Sequence, residues 1–472
     1  MSKGKTTRRH ASEPFPAKWR RLRLRLSHHL SPERLFILSF AGVILIGGLL
    51  LRFPFSAAVA PLPWIDALFQ SASAVCVTGL ATVDVGQDLS KTGQVILILL
   101  FQVGGLGILT FSAVFFVLLG QGLASKERDV MQSVFLYSPR RDIGPILKFV
   151  LLSTFIYEGG GTLLLWARFS QDFPWGEALF KAVFHAISAF NNAGFSLFSD
   201  NLVSYQGDPI VNLTMMALIV SGGIGFIVHY ELHMRFFGSQ RRLSVHTKVV
   251  LVATGALIIG GAALFFVFEN HRILKDLPWQ NQVLASLFQS ITPRTAGFNT
   301  VDIGMLANET ILMMIALMFI GASPGSTGGG VKTTSASLLF LIMWGRLRGR
   351  EEVSVFNRTI PRELLQRTIS IILAATLSIC FIVSVLLLLV DYSGSAVESR
   401  HLFVEYIFET TSAFATVGLS MNLTPTLNTP QKLAVILMMF AGRVGPLTLA
   451  FSLARTTAKK GFTYAEEGVM VG

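Results

Sequence analysis

The sequence predicts an all-α membrane protein made of four pseudo-symmetric units around one central pore. Three observations carry this. The 472 residues are 52% hydrophobic and only 14% charged, too little charge to cover a soluble surface of that size. One short pattern recurs four times: FQSASAVCVTGL (Phe69–Leu80), FHAISAFNNAGF (Phe184–Phe195), FQSITPRTAGF (Phe288–Phe298) and FETTSAFATVGL (Phe408–Leu419). Each copy starts at Phe, passes through small hydroxylated or apolar residues, ends at Gly followed by Leu or Phe, and lies between two long apolar segments. Finally, most of the 39 Lys and Arg fall in residues 1–34, 121–148, 235–248, 346–367 and 455–460, segments that alternate to one side of such a chain.

The elements follow in order. An apolar stretch of about 20 residues crosses a bilayer. The first unit has a span at 35–51, a re-entrant segment at 64–80 and a span at 93–119. The second has 147–167, 178–195 and 210–230; the third 249–268, 282–298 and 310–343, the last interrupted; the fourth 369–390, 402–419 and 431–453. That makes eight spans and four re-entrant pore helices. The matching organisation is a basic cytoplasmic tail at 1–34, pore unit 1 at 35–120, unit 2 at 121–236, unit 3 at 237–345, and unit 4 with the C-terminus at 346–472. Basic residues collect on the cytoplasmic side, which puts both termini inside and brings the four repeats in from outside. The same asymmetry accounts for the net charge of +12 without nucleic acid. No cleavable signal peptide is visible. Cys76 and Cys380 both fall in membrane segments and read as small apolar residues.

The re-entrant segments are too short and too polar to span. Non-helical backbone at membrane depth is tolerated only inside protein or along water, so the tips line the pore. They read Val77-Thr78-Gly79, Asn192-Ala193-Gly194, Thr295-Ala296-Gly297 and Thr416-Val417-Gly418. Four strands of backbone carbonyls can replace the hydration shell of potassium, and the fourth tip matches the start of the potassium-channel TVGYG signature. Glycine gives each tip backbone freedom and close approach to the ion. The helix before each tip aims its negative end at the centre, which favours a cation. The alternative is that small residues merely permit close helix packing.

With these four tips the chain resembles the Trk/Ktr/HKT superfamily of potassium transporters over nearly its whole length from about residue 30, most like the KtrB-type membrane subunit. The resemblance implies four M1–pore loop–M2 units, a filter glycine at Gly79, Gly194, Gly297 and Gly418, and potassium preference, because the first position is Gly and not Ser. The absence of an additional pair of spans before the first unit, and the short C-terminus, point to the KtrB type over the TrkH type. It further implies a homodimer on a KtrA-type cytosolic ring that binds ATP or ADP, docked on loops 121–146, 235–248 and 346–367. It implies sodium stimulation and a bacterial plasma (inner) membrane location. A TrkH-type proton-linked transporter or a sodium-conducting relative would share the architecture.

The interruption in span 310–343 runs IGASPGSTGGGVKTTS. Pro324 with Gly321, Gly325, Gly328, Gly329 and Gly330 cannot hold a regular helix. A polar break at this depth faces the pore or protein. By resemblance, 321–331, including Ala322, Ser323, Ser326 and Thr327, is an intramembrane gating loop. It is not a phosphate loop, because Val331 separates Gly330 from Lys332. Lys332 can snorkel or point into a cavity. Arg443 lies inside the last span, where a charge is costly and faces the interior; either it pairs structurally or, as the resemblance implies, it helps the gate to bar cations.

Smaller signals are the glycines at 104, 105, 107, 222, 223, 225, 442 and 445, read as close-packing or bending points, and Glu158, expected to pair with a basic residue. Asp84, Asp200 and Asp302 follow their tips and either attract cations or sit in solvated loops; Glu405 and Glu409 stay equally open. No HExxH and no intact phosphate loop is present, so no enzyme is expected. No covalently bound cofactor is expected either, with potassium as substrate and sodium as activator.

Overall fold

The computed structural model describes residues 32–118, 143–238, 242–350, 352–390 and 400–445. Most of the predicted 1–34 tail, most of the 121–146 loop and everything after 445 lie outside the described residues. The described chain is helical: α1 (Pro32–Arg52), α2 (Trp64–Cys76), α3 (Lys91–Leu118), α4 (Ile143–Phe169), α5 (Trp175–Phe190), α6 (Pro209–Gly223), α7 (Phe226–Phe236), α8 (Val245–Glu269), α9 (Trp279–Ile291), α10 (Asn308–Phe319), α11 (Thr333–Leu347), α12 (Arg362–Leu388), α13 (Arg400–Ala415) and α14 (Thr429–Val444). One small hairpin pairs Ser354–Val355 with Arg358–Thr359.

Local chemistry sets the helix starts. The short helices α2, α5 and α9 each begin with Pro-Trp, with Pro63, Pro174 and Pro278 as caps. Proline presets φ for a helix entry and has no N–H to leave orphaned. Trp64, Trp175 and Trp279 stay exposed, as suits aromatic rings at a membrane interface. Asp208 and Ser244 cap α6 and α8 through their side chains, and Asn428 with Gln431 forms a capping box on α14.

The packing is cyclic. The short helices α2, α5, α9 and α13 each pack on the long helix that precedes them: α1, α4, α8 and α12. The helix after each short one also touches the next short helix: α3 touches α5, α6 touches α9, α10 touches α13, and α14 returns to α2. Lys432 on α14 pairs with Asp66 on α2 at 2.6 Å and joins the fourth unit to the first. The Phe that opens each repeat (Phe69, Phe184, Phe288, Phe408) is fully buried. Large apolar side chains such as Phe155, Ile156, Val252, Ile259, Leu377 and Phe381 point outward instead, the reverse of a soluble protein.

Among the described residues, Lys148–Phe169, Val245–Glu269 and Arg362–Leu388 are long and apolar enough to cross a membrane singly. The predicted span 210–230 is not one straight helix: Pro209–Gly223 and Phe226–Phe236 form a pair bent by 99°. The cause is Gly225, which has φ +94° and whose missing Cβ would stand 2.6 Å from the Pro324 carbonyl oxygen. The amide of Phe226 donates to Gly325 O at 2.9 Å. The helix breaks here to receive the interrupted span of the third unit.

Candidate functional site

The four tips meet. Each short helix ends in a turn where the first tripeptide residue takes positive φ: Val77 (58°), Asn192 (58°), Thr295 (75°) and Thr416 (51°). The glycine two residues on is positive again, at 96°, 72°, 77° and 94°. Positive φ is uncommon for β-branched residues and marks a backbone that its surroundings over-determine.

The glycines themselves form a closed ring. A Cβ on Gly79 would lie 2.6 Å from the Ala193 carbonyl oxygen, and one on Gly194 would lie 3.0 Å from that of Ala296. On Gly297 it would strike the Val417 oxygen and stand 3.2 Å from Gly418 Cα. On Gly418 it would strike the Thr78 oxygen and stand 2.9 Å from Gly79 Cα. Each tip therefore abuts the next, and the fourth returns to the first.

Two layers of polar bonds hold the tips, and sequence reasoning missed both. Four residues after the opening Phe stands a buried hydroxyl: Ser73, Ser188, Thr292 and Ser412. Ser73 and Ser412 accept from the amides of Gly79 and Gly418, each at 3.0 Å. Ser188 and Thr292 donate to the carbonyls of Phe195 (2.9 Å) and Phe298 (2.5 Å). Directly after each Phe stands a second buried polar residue that ties the short helix to the segment leaving the tip. Gln70 donates to Val83 O, His185 meets Ser196 Oγ at 2.9 Å, and Gln289 donates to Thr300 Oγ1 at 3.3 Å. Glu409 accepts from Ser420 at 2.7 Å and from Thr424. Glu409 is thus a brace and not a mouth residue. The signal was available, since both positions carry polar side chains in all four copies.

The loop 321–331 lies against the tips. Ile320 and Val331 bridge at its neck. The Gly329 amide donates to Thr416 Oγ1 at 3.0 Å, and a Cβ on Gly328 would stand 2.9 Å from Thr295 Cβ. On the other side Ser323 and Thr327 donate their amides to Gly223 O (3.0 Å) and Gly222 O (3.2 Å). Ser323 Oγ shares a bond with Thr333 Oγ1 at 2.8 Å. The guanidinium of Arg443, 4% exposed, donates to Thr327 O in the loop and to Gly104 O on α3. Lys332 turns back into the loop and donates to Gly328 O at 2.7 Å and Gly329 O at 3.3 Å. The predicted loop, Arg443 and Lys332 therefore form one assembly next to the four tips.

The helix glycines behave as packing points. Cβ atoms on Gly104, Gly222 and Gly442 would overlap the backbone of Val75, Phe190 and Phe414, the last turns of three short helices. Glu158 departs from expectation: it accepts from neutral amides, Asn191 Nδ2 at 3.0 Å and Gln102 Nε2 at 3.4 Å, and no basic residue pairs with it among the described residues. Asp84, Asp200 and Asp302 bond to nearby backbone amides and cap their own turns. Near Asp200, burial, together with the Asp172 carboxylate it donates to at 2.9 Å, pushes the Tyr205 hydroxyl's pKa up.

Comparison with known proteins adds the following. The family model TrkH, described as a cation transport protein, matches residues 39–460. The chain is 39% identical over 432 residues to the Ktr system potassium uptake protein B of Bacillus subtilis, covering 90% of this chain and 94% of that one. It is 33% identical over 456 residues to the potassium/sodium uptake protein NtpJ of Enterococcus hirae, covering 96% and 99%. The crystal structure of the potassium transporter TrkH from Vibrio parahaemolyticus matches in fold with a TM-score of 0.69, over 91% of this chain and 86% of that one, at 19% identity.

Proposed function

Because the chain belongs to the TrkH family of cation transport proteins, we propose that it carries potassium into the cell across the bacterial plasma membrane, with both termini cytoplasmic. The observation that carries this reading is the closed ring of four tips, each braced by a hydroxyl and pressed against its neighbour. Alternating positive φ at the first and third residues turns successive carbonyls toward one side. Four such strands, Val77–Gly79, Asn192–Gly194, Thr295–Gly297 and Thr416–Gly418, form a cage of oxygens that substitutes for the hydration shell of potassium. The short helices direct their negative C-terminal ends at it. Four units of span, pore helix and span, eight spans in all, surround this path.

Below the cage, loop 321–331 obstructs the path, and Arg443 pins it to α3. The positive charge adds an electrostatic barrier to cations, while its bonds hold the loop shut. Opening means releasing Thr327 O and Gly329 N and moving a glycine-rich segment aside. The relatives named for the Ktr system support partnering with other components of such a system; in this reading the chain forms a homodimer on a cytosolic KtrA-type ring that binds ATP or ADP. Loops 121–146, 235–248 and 346–367 are its docking surface, and sodium stimulates uptake.

The test is growth of a potassium-uptake-deficient bacterium at limiting potassium, with and without a KtrA-type partner and with and without sodium. Rescue that depends on the partner or on sodium supports the reading. Failure in every condition with protein present in the membrane overturns it. The name of the Enterococcus relative favours one second reading, in which sodium is itself carried; the presence of Gly and not Ser at residue 79 argues for potassium. Direct competition between the two ions for uptake separates them, and also separates either from a proton-linked transporter of the TrkH type.

A further inference from the structure

The residue just before each filter tripeptide differs among the units: Cys76, Asn191, Arg294 and Ala415. All four side chains are buried, but among the described residues only the second is held by a carboxylate. Asn191 follows the last turn of α5 and directly precedes Asn192, where the backbone switches to φ +58°. Its amide nitrogen donates to Glu158 Oε1 at 3.0 Å, to Gln102 Oε1 at 2.7 Å and to Ile187 O at 2.9 Å. Gln102 closes the triangle by donating to the other oxygen of Glu158 at 3.4 Å. The three side chains come from α3, α4 and the base of the second tip, so one carboxylate links two neighbouring units to one filter strand.

This is a costly thing to build. Glu158 is 6% exposed and lies midway along a helix long and apolar enough to cross a bilayer. Acidic residues at such depth are rare, face protein and mark function. The helix places it with care. Gly159 and Gly160 beside it have no atom within 4 Å of a Cβ, and Gly161 faces Leu218; the inward polar groups here are the Glu158 carboxylate and the hydroxyl of Tyr157, which meets His229 Nδ1 at 3.2 Å. On the facing helix Gly105 leaves room for the Asn191 side chain, which a Cβ there would overlap.

We propose that Glu158 is a positioning residue for ion selectivity: through Asn191 it fixes the backbone of Asn192–Gly194 and so the size of the cage on that side. The proposal rests on the reading of the ring as a potassium filter. A site that distinguishes potassium from sodium by oxygen placement needs strands that do not relax around the smaller ion. Strand 2 has no β-branched residue to stiffen it, unlike the strands that contain Val77, Thr295 and Thr416, and the triad supplies that stiffness from behind.

The experiment is uptake of potassium and of sodium by cells or vesicles containing the full chain, normalised to membrane protein, for wild type, Glu158→Ala, Glu158→Gln, Asn191→Ala and the double variant Glu158→Ala/Asn191→Ala. The potassium-to-sodium ratio is read, which a general loss of folded protein does not move. Glu158→Ala is expected to lower the ratio about tenfold, and Asn191→Ala similarly, with the double variant no worse than either single because both act along one path. Glu158→Gln, which keeps one acceptor oxygen, is expected to retain most of the ratio. An unchanged ratio in Glu158→Ala with only a lower flux overturns the proposal, as does additive loss in the double variant or a Gln variant as poor as the Ala one. Absence of potassium uptake in wild type would instead overturn the transport reading.

Discussion

At the scale of single residues, the ring closes through backbone freedom that glycine supplies. Gly79 has φ +96° and no room for a Cβ, which would stand 2.6 Å from the Ala193 oxygen and 2.8 Å from Gly194 Cα. Both objections are to backbone, which cannot rotate away as a side chain can. Gly79→Ser is therefore expected to displace the second strand, reduce potassium uptake on the order of tenfold, equivalent to about 1.4 kcal/mol of barrier, and shift ion preference toward sodium. Competition uptake checks this. Arg443 makes the opposite kind of contribution. Its bonds to Thr327 O and Gly104 O, with a longer one to Gly105 O at 3.5 Å, come from a charged donor, and the two short ones are each worth about 1.5–3 kcal/mol. Their loss in Arg443→Ala is expected to raise basal rubidium flux roughly tenfold in the absence of a regulatory partner. Flux equal to or below wild type would argue that Arg443 serves packing and not closure.

At the scale of elements, glycine position decides which helices can reach the centre. Gly222 and Gly442 press on the carbonyl ends of α5 and α13, where a Cβ would overlap Phe190 and Phe414 backbone; Gly255, in α8, has no atom within 4 Å. Gly222→Leu and Gly442→Leu are expected to cost more than the 1–3 kcal/mol typical of overpacking, because backbone cannot repack. They should yield little monodisperse protein in detergent. Gly255→Leu is expected to behave as wild type in the same size-exclusion and thermal-unfolding measurements. The break in 210–230 shows the same logic from the other direction. That segment is apolar enough to read as one span, but Gly225 and the incoming loop at Pro324–Gly325 turn it by 99°. Hydropathy counts residues; it does not register a neighbour that must be accommodated.

At the scale of the whole molecule, four similar units become a closed ring only if the last meets the first. Lys432 and Asp66, far apart in the chain, pair at 2.6 Å with little exposure of either side chain. Leaving one partner alone in such a site costs about 3 kcal/mol. Lys432→Ala is expected to lower the unfolding temperature and to spare ion preference in whatever protein remains folded. The exchanged pair Asp66→Lys/Lys432→Asp is expected to recover much of the loss. A recovery absent from the double variant would mean that each charge has partners of its own.

The sequence by itself determined the membrane class, the four repeats, the four tips, the polar break at 321–331 and the inward-facing charge of Arg443. Each of these leaves a local mark: apolar length, a recurring Phe-to-Gly word, glycines where a helix should be, a charge where none is cheap. It also carried, unread, the hydroxyl and polar braces at fixed places in every copy and the Pro-Trp start of three short helices. Only the tertiary structure decided what those residues touch. The ring order of the glycines, the docking of the loop under Thr295 and Thr416, the turn of α6 into α7, and the neutral company kept by Glu158 all depend on atoms distant in the chain. Periodicity and composition report which side of an element is apolar. Which carbonyl a glycine makes room for, and which amide a buried acid holds, is set by the relative placement of helices, and that exists only once the four units have closed on one another.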